Sequence, residues 1–307
     1  MYEEGEIESV GRPVLFGEVL FDQFPDGAAI IGGAPFNVAY HLRGFGLNPL
    51  MISRIGRDSL GESVIQTMSR WGMDVSGIQI DDTHPTGRVS VKMVENNHSF
   101  TILPKQAYDH IAWEPVVPLL EQEHNFLFYH GTLAARTEGS RQALLSILNQ
   151  WSPLTLVDLN LRAPWWNGPL VREALTGARW IKLNDSELTD ISGLSTVSET
   201  GLEREAVRLQ KNTGAELIAV TRGEEGAFFY GGGELMSVEG IDVTIADTVG
   251  AGDAFSAVLV LGITFGWDMP TTLQRAIHFA AAICTIRGAV PASRTMYSEF
   301  IAQWKSS

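Results

Sequence analysis

The chain has 307 residues, of which 45% are hydrophobic and 19% charged, and this composition is typical of a soluble globular protein. A formal net charge of −14 argues against nucleic acid or an anionic membrane as a partner, but not against a nucleotide held by backbone amides and Mg²⁺. The lone cysteine excludes an intrachain disulfide, and the absence of a recognisable signal peptide or membrane span favours a cytoplasmic location.

Short apolar runs alternate with helical patterns along the chain. Fully apolar strands that alternate with helices are typical of a parallel sheet covered on both faces. No linker or repeat divides the sequence, so we expect an α/β fold in one domain over residues 1–307. The expected strands begin at Val14, Leu50, Phe126, Leu154, Trp180 and Leu217, and the expected helices include Phe36–Gly44, Leu60–Trp71, Ser140–Trp151 and Gly201–Thr213.

One region departs from this alternation of apolar strands and helices. Arg88–Glu95 alternates apolar and polar residues, and a turn is expected at Asn96-Asn97-His98 before a second alternating strand. That pattern predicts an antiparallel hairpin with one apolar face, to which Val19–Ile31 would add further strands. The inserted strands, at about 19–31 and 85–104, are therefore interpreted as a small β lid over a site or as a dimer surface.

Polar residues follow several of the predicted strands. Ligands of open parallel sheets bind beyond the carboxyl ends of the strands, so these side chains are candidates for a phosphate and metal site. Asn184 and Glu187 also fit a capping box, which is the preferred interpretation of that pair taken alone. The residues concerned are Asp158, Asn160 and Arg162 after one strand, Asn184 and Glu187 after the next, and Thr221, Arg222 and Gly223 after a third.

A small-residue turn, Gly250-Ala251-Gly252, precedes Asp253 and a long apolar run. The first amides of a helix have no partner inside it and form an anion site, which glycine leaves open to a phosphate. A carboxylate beside such a site is poorly suited to hold an anion and well suited to take a proton from an attacking hydroxyl. The alternative is an ordinary glycine turn with Asp253 as a helix cap.

The stretch DTVGAGDAF, which contains Asp253, resembles the C-terminal signature of the ribokinase-like (PfkB) carbohydrate kinases. IGGAPFNVAYHLRGFG resembles their N-terminal signature, more than two hundred residues earlier and in the expected order. The resemblance runs from about Val14 to Ser293. It implies a ribokinase-like three-layer α/β/α sandwich with a mainly parallel central sheet and a small β lid, and an ATP-dependent kinase that uses Mg²⁺.

The same resemblance implies roles for individual residues. Asp253 would be the catalytic base, Gly250, Ala251 and Gly252 the anion hole, and Arg162 would neutralise charge during transfer. The sugar would contact Asp22, Gly32, Gly33, Asn37, Asp158 and Asn160, and the ATP phosphates Asn184, Thr221, Gly223 and Gly226. Glu187 would hold Mg²⁺ through water, and Asp247, Thr248, Gly288 and Ser293 resemble loops that hold a monovalent cation such as K⁺. Adenine is expected between the region after Arg222 and the helix Ala276–Thr285, where His278 and Cys284 are candidate contacts.

The substrate interpretation depends on resemblance to the fructokinase branch, carried by GEVLFD, GGAPFNVAYHL and DLNLRAPWW. It predicts phosphorylation of D-fructose to fructose 6-phosphate, and a homodimer formed through the lid as a further expectation. The alternative substrate is 2-keto-3-deoxygluconate, whose carboxylate needs a cation such as Arg88, Lys92 or Lys105, or another small sugar. A sugar- or nucleotide-binding regulator without activity is the alternative of another class, and the intact Asp253 argues against it.

Overall fold

The computed structural model describes residues 10–94, 97–194 and 198–306. The strands are β1 (Val14–Phe16), β2 (Leu20–Gln23), β3 (Ala29–Gly32), β4 (Leu50–Gly56), β5 (Ile78–Asp81), β6 (Gly87–Val94), β7 (Asn97–Ile102), β8 (Leu127–His130), β9 (Leu154–Asp158), β10 (Trp180–Asn184), β11 (Leu217–Thr221), β12 (Ala227–Gly231) and β13 (Glu234–Val238). The α-helices are α1 (Ala34–Gly44), α2 (Ser59–Trp71), α3 (Val117–Leu120), α4 (Glu138–Trp151), α5 (Gly168–Leu175), α6 (Asp185–Ser192), α7 (Glu199–Thr213), α8 (Ala251–Phe265), α9 (Met269–Cys284) and α10 (Thr295–Ser306).

A nine-stranded sheet forms the centre of the molecule, in the order β13-β12-β11-β10-β9-β8-β1-β4-β5. The strands from β11 to β5 in this order pair in parallel, while β12 and β13 add an antiparallel edge after β11. Val14, Leu15 and Phe16 of β1 are almost completely buried, as expected for a strand covered on both faces. The predicted α/β fold with a mainly parallel central sheet is confirmed.

Helices cover both faces of this sheet and complete the three layers. Helices α1, α2, α8 and α9 contribute apolar side chains to one large core cluster. Helix α4 contributes to a second cluster, and α5, α6 and α7 contribute to a third. The helical patterns seen in the sequence therefore correspond to helices of the structure, with α8 beginning at the predicted glycine turn.

A separate four-stranded sheet has the order β3-β2-β6-β7. Strands β6 and β7 pair antiparallel as the alternating pattern predicts, whereas β2 pairs with β6 in parallel. The turn prediction is wrong for Asn97 and His98, which belong to β7 and pair with Val94 and Met93 of β6. Glu95 and Asn96, the remaining residues of the predicted strand end and turn, lie outside the described residues.

The parallel registers align the carboxyl ends of three strands. Lys182 of β10 lies opposite Asp158, the last residue of β9, and Asn184 lies opposite Thr221, the last residue of β11. The polar side chains that follow these strands therefore emerge at one edge of the sheet. Within the described ranges, no helix combines the length and apolar character that crossing a bilayer requires.

Candidate active site

The site is organised around the start of α8. Gly250 precedes the helix with φ 82°, a conformation that side chains rarely adopt. A Cβ at Gly250 would lie 2.5 Å from the Cα of Ala289, so the turn also packs tightly against a neighbouring loop. The N–H groups of the first helical turn lack partners within the helix and point outwards from its N-terminal end. Gly250, Ala251 and Gly252 thus form the backbone turn that an anion site requires.

Asp253 lies in the first turn of α8 and is half-buried. The side-chain amide of Asn37 in α1 donates to Asp253 Oδ2 at 2.7 Å, across 216 residues of sequence. Burial raises the pKa of Asp253 to about 6, and the negative charge of Asp158 acts in the same direction. The Asn37 hydrogen bond, Lys182 and Arg162 oppose the rise. A carboxyl with this pKa is ionised at neutral pH and retains appreciable basicity.

The small sheet brings further candidate residues towards Asp253. Asp22 lies on β2, Gly32 ends β3, and Gly33 directly precedes α1 with φ 109°. Burial raises the pKa of Asp22, and the positive charge of Arg162 opposes this rise. Arg162 is exposed after β9, within electrostatic range of Asp22 and of Asp253. Arg162 therefore lies within electrostatic range of a predicted sugar residue and of the predicted base, and the hydrogen bond from Asn37 to Asp253 joins the two signatures.

Glu18 is a residue of this neighbourhood that sequence reasoning missed. It follows β1, is 3% exposed, and its carbonyl oxygen would lie 2.5 Å from a Cβ at Gly33. Burial raises the pKa of Glu18 to about 7, while backbone amides of Glu18 and Ala34 and the charge of Arg162 favour the ionised form. A glutamate directly after a fully buried strand is the signal that could have identified it.

Asp158 is placed differently from a side chain that contacts substrate directly. It is fully buried, and Lys182 Nζ lies 3.0 and 3.1 Å from its two carboxylate oxygens. The hydroxyls of Tyr129 and Ser256 donate to Asp158 Oδ2 at 3.0 and 2.7 Å. Asn160, two residues later, is half-buried with φ 43°. The Asp158 carboxylate is therefore already bonded within the protein beneath α8, and its contact with a sugar stays a prediction.

Asn184 and Glu187 form a complete capping box at the start of α6. The Glu187 amide donates to Asn184 Oδ1 at 2.8 Å, and the Asn184 amide donates to Glu187 Oε2 at 2.9 Å. The amide of Leu161 donates to Glu187 Oε1 at 2.7 Å, so this carboxylate also ties the loop after β9 to α6. Burial raises the pKa of Glu187, and the positive charge of Lys182 opposes the rise.

A pocket of about 560 Å³ opens beside the turn before α8. The predicted phosphate residues Thr221, Gly223 and Gly226 line it, as do Ala251 and Gly252. Its apolar walls include Phe255, Ile277, Ala280, Ala281 and Cys284, while His278 is not among its lining residues. Such a pocket, apolar at one end and rich in backbone amides at the other, suits a nucleotide base with its phosphates.

Two further candidate residues make contacts within the protein, and their predicted roles stay predictions. Arg222, after β11, is only 9% exposed and pairs with Glu199 of α7, so its guanidinium is turned away from the pocket. Ser293 is exposed, and its hydroxyl donates to Thr295 Oγ1 at 3.3 Å. Asp247 instead accepts from the Gly288 amide at 3.1 Å, which joins the loop before α8 to the loop after α9. Of the four predicted cation residues, Thr248 lines the nucleotide pocket.

In the described part of the chain, no three His, Cys, Asp or Glu side chains are grouped closely enough to hold a metal ion. Mg²⁺ keeps most of its waters in proteins and commonly binds through one or two carboxylates and substrate phosphates. Glu187 fits such a role because each of its oxygens accepts one backbone amide and retains a further lone pair.

The sequence pattern of the pfkB family of carbohydrate kinases matches residues 19–296. Fructokinase-2 of Oryza sativa subsp. japonica is 26% identical over 310 residues, covering 92% of this chain and 91% of the relative. Among solved structures, a sugar kinase from Pyrococcus horikoshii in complex with ATP has a TM-score of 0.77 and 25% identity, covering 90% of this chain and 93% of the other. A fructokinase from Vibrio cholerae O395 in a fructose, ADP and calcium ion bound form has a TM-score of 0.79 and 23% identity, covering 96% and 99%.

Proposed function

Because the chain belongs to the pfkB family of carbohydrate kinases and is an ATP-dependent sugar kinase, we propose that it transfers the γ-phosphoryl group of ATP to a primary hydroxyl of D-fructose. The family and the kinase class predicted from the two signatures are confirmed by this match. The hydrogen bond between Asn37 and Asp253 is the observation on which the site assignment depends. It joins the N-terminal signature to the C-terminal one at the group that would accept the proton.

Asp253 acts as the base in this proposal. The sugar hydroxyl lies beside its carboxylate, loses its proton to it as the oxygen attacks phosphorus, and gains the phosphoryl group while ADP leaves. Asn37 holds the carboxylate in place through its 2.7 Å hydrogen bond and keeps the other carboxylate oxygen available to the hydroxyl. A base with a pKa near 6 is mostly ionised at neutral pH, which suits this role.

The turn Gly250–Gly252 receives the γ-phosphoryl group, and its backbone amides oppose the charge that spreads over the phosphoryl oxygens. Arg162, exposed after β9, moves onto the phosphates and neutralises further charge. Bound with ATP, Mg²⁺ would neutralise the β- and γ-phosphates, and Glu187 would orient one of its waters. Thr221, Gly223 and Gly226 hold the remaining phosphates, with Asn184 fixing Glu187 through the capping box.

The sugar lies between the small sheet and α8. Asp22 of β2 and Gly32, Gly33 and Asn37 of the N-terminal signature face it, and the carboxylate and amide groups match the donors and acceptors of hydroxyls. Asn160 completes this side, and Asp158 supports it from beneath. Closure of the small sheet over the sugar would exclude water and limit ATP hydrolysis.

The surroundings of the three cationic side chains that could bind a sugar acid favour fructose as the substrate. Arg88 lies 3.6 Å from Asp58, which balances its charge, and Lys92 and Lys105 are exposed to water. A sugar-acid carboxylate would need a converging, unbalanced cation, since exposed lysines hold an anion only weakly. Relatives named fructokinase at 26% identity support the same choice.

A panel of acceptors tests the proposal. ADP release from Mg·ATP is measured with fructose, 2-keto-3-deoxygluconate, ribose, fructose 6-phosphate and a nucleoside. We expect fructose to give the highest kcat/KM, by about tenfold or more over every other acceptor. A higher kcat/KM for 2-keto-3-deoxygluconate would replace fructose as the substrate while leaving the kinase chemistry intact.

A further inference from the structure

A charged lysine occupies the middle of a buried parallel strand. Lys182 is the central residue of β10 and is only 6% exposed. Its ammonium contacts both carboxylate oxygens of Asp158, at 3.0 and 3.1 Å. A buried ion pair contributes little net stability compared with apolar side chains of similar size, so stability alone is a weak explanation for this pair.

Asp158 connects this ammonium to the helix that carries the proposed base. Ser256, one turn after Asp253 in α8, donates its hydroxyl to Asp158 Oδ2 at 2.7 Å. The Tyr129 hydroxyl of β8 donates to the same oxygen at 3.0 Å. Three neighbouring strands therefore hold the first turns of α8 through one buried carboxylate.

The ammonium also lies against the anion-binding turn itself. A Cβ on Gly252 would lie only 3.2 Å from Lys182 Nζ, so glycine leaves the space in which the ammonium sits. A cation at the positive N-terminal end of a helix is unfavourable unless an anion is also present. Asp158 supplies part of that negative charge, and Asp253 and Glu187 lie within electrostatic range of the ammonium.

We propose that Lys182 is a positioning residue of the phosphoryl transfer. Its ion pair with Asp158 fixes the first turns of α8, and its charge favours the ionised form of Asp253. The inference rests on the proposed role of Asp253 as base. Lys182 acts through Asp158 and Asp253 rather than by contact with the sugar.

The groups that face Asp253 determine how the loss of Lys182 would change the pKa of Asp253. They are Asn37 from α1, Glu18 after β1, Tyr129 from β8, Asp158 from β9, Arg162 after β9 and Lys182 from β10. Lys182 and Arg162 lower the pKa of Asp253, whereas Asp158 raises it. Removal of the ammonium alone therefore moves this pKa above its value of about 6. A purely structural role for Lys182 would not produce this shift.

The test compares Lys182→Met with Ser256→Ala and with Lys211→Met, which removes an exposed lysine of α7. For Lys182→Met we expect kcat to fall about tenfold or more, the acid limb of kcat/KM for the sugar to move to higher pH, and the Kd for ATP to change less than about threefold. Ser256→Ala, which keeps both charges, lowers kcat and leaves the acid limb in place. Lys211→Met changes neither quantity.

A folded Lys182→Met enzyme with parental kcat and an unmoved acid limb overturns the inference. If that variant does not fold, Lys182→Met/Asp158→Asn replaces the pair with neutral side chains, and parental kcat in the folded double variant overturns the inference as well. If the double variant also fails to fold, the result for Ser256→Ala decides, since parental kcat there removes the link to α8. Asp253→Asn separates this outcome from the proposed function, because turnover in that variant contradicts the base itself.

Discussion

Two carboxyl groups, the half-buried Asp253 and the buried Glu18, lie within electrostatic range of each other beside the start of α8. Burial raises the pKa of each, to about 6 for Asp253 and about 7 for Glu18. Burial disfavours the ionised form of both groups, and the negative charge of Asp253 raises the pKa of Glu18 further. The hydrogen bond from Asn37 and the charge of Lys182 oppose the rise of the pKa of Asp253, and the charge of Arg162 opposes the rise at both carboxyl groups. The protonation of the two carboxyl groups therefore depends on these few neighbouring side chains.

Asn37→Ala tests this balance at the residue scale. Loss of the 2.7 Å hydrogen bond removes a contribution that lowers the pKa of Asp253, so this pKa rises above about 6. Because the base must be ionised, kcat/KM falls by about tenfold or more near neutral pH and recovers partly as pH rises. The measurement is kcat/KM between pH 5 and pH 9, roughly the range in which such groups titrate. Asn48→Ala, at an exposed loop position, is the control, and an acid limb shared by both variants would contradict the prediction.

Sequence reasoning reached the residues of the two signatures and missed Glu18 and Lys182. Gly250, Asp253 and Asn37 lie in short motifs whose chemistry can be recognised locally. Lys182 lies in WIKLN, a run that the sequence pattern identifies only as an apolar strand. Lys182 and its partner Asp158 are 24 residues apart, and Asp158 and its partner Ser256 are 98 residues apart. No local sequence pattern therefore reveals the network. A lysine in a buried strand nevertheless requires a partner, and that rule could have identified it.

At the scale of elements, the start of α8 depends on a tight approach between two loops. Asp247 accepts from the Gly288 amide at 3.1 Å, and Gly250 packs against Ala289. This contact supports the turn before α8, since the helix begins without a side-chain cap. The loop contact adjoins both the pocket lined by Ala251 and Gly252 and the first turn of α8, which carries Asp253.

Gly250→Ala should therefore cost more stability than an alanine in an open left-handed position. Gly177 has φ 73°, and a Cβ there meets nothing within 4 Å, so Gly177→Ala costs about 1 kcal/mol of backbone strain. Gly250 has φ 82° with Ala289 Cα 2.5 Å from the new Cβ, so the backbone must also move, and we expect about 2 kcal/mol more. The free energy of unfolding in urea is the measurement. Equal losses in the two variants would mean that the loop contact is unimportant.

Elements were predicted with unequal success. The apolar runs after Val14, Leu154, Trp180 and Leu217 identified strands because burial on both faces leaves a strong local pattern. The parallel pairing of β2 with β6 was not predicted, since pairing between distant strands is not a local property. The turn at Asn97 and His98 was misplaced because asparagine favours turns, yet the register of β6 and β7 continues through both residues.

At the scale of the whole molecule, helices enclose the central sheet on both faces while the small sheet stands apart with its own strand order. Strand β3 is an edge of that small sheet, and its Ile30 is 47% exposed. An edge strand with an exposed apolar side chain is a surface that a second copy of the chain can cover. The homodimer through the lid stays a prediction.

Ile30→Glu tests this dimer. A charged side chain at the proposed interface should convert a dimer into a monomer at micromolar concentration, because an unpaired charge is costly to bury. Sedimentation velocity over a range of protein concentrations is the measurement. Ile80→Glu is the matched control, since Ile80 is 42% exposed on β5 at the edge of the central sheet. A parent chain that is monomeric at every concentration, or equal disruption by both variants, would exclude the lid as the interface.

The central claim is that Asp253 is the base of a sugar kinase, and its most direct test is the rate of ADP formation by Asp253→Asn with fructose and Mg·ATP. Asp82→Asn is the control, because Asp82 is an exposed carboxylate in a surface ion pair with Arg57. The account predicts that Asp253→Asn lowers kcat by about a thousandfold or more while the Kd for ATP changes less than about threefold. The control keeps parental kcat. A folded Asp253→Asn enzyme that binds ATP and retains near-parental kcat would contradict the account.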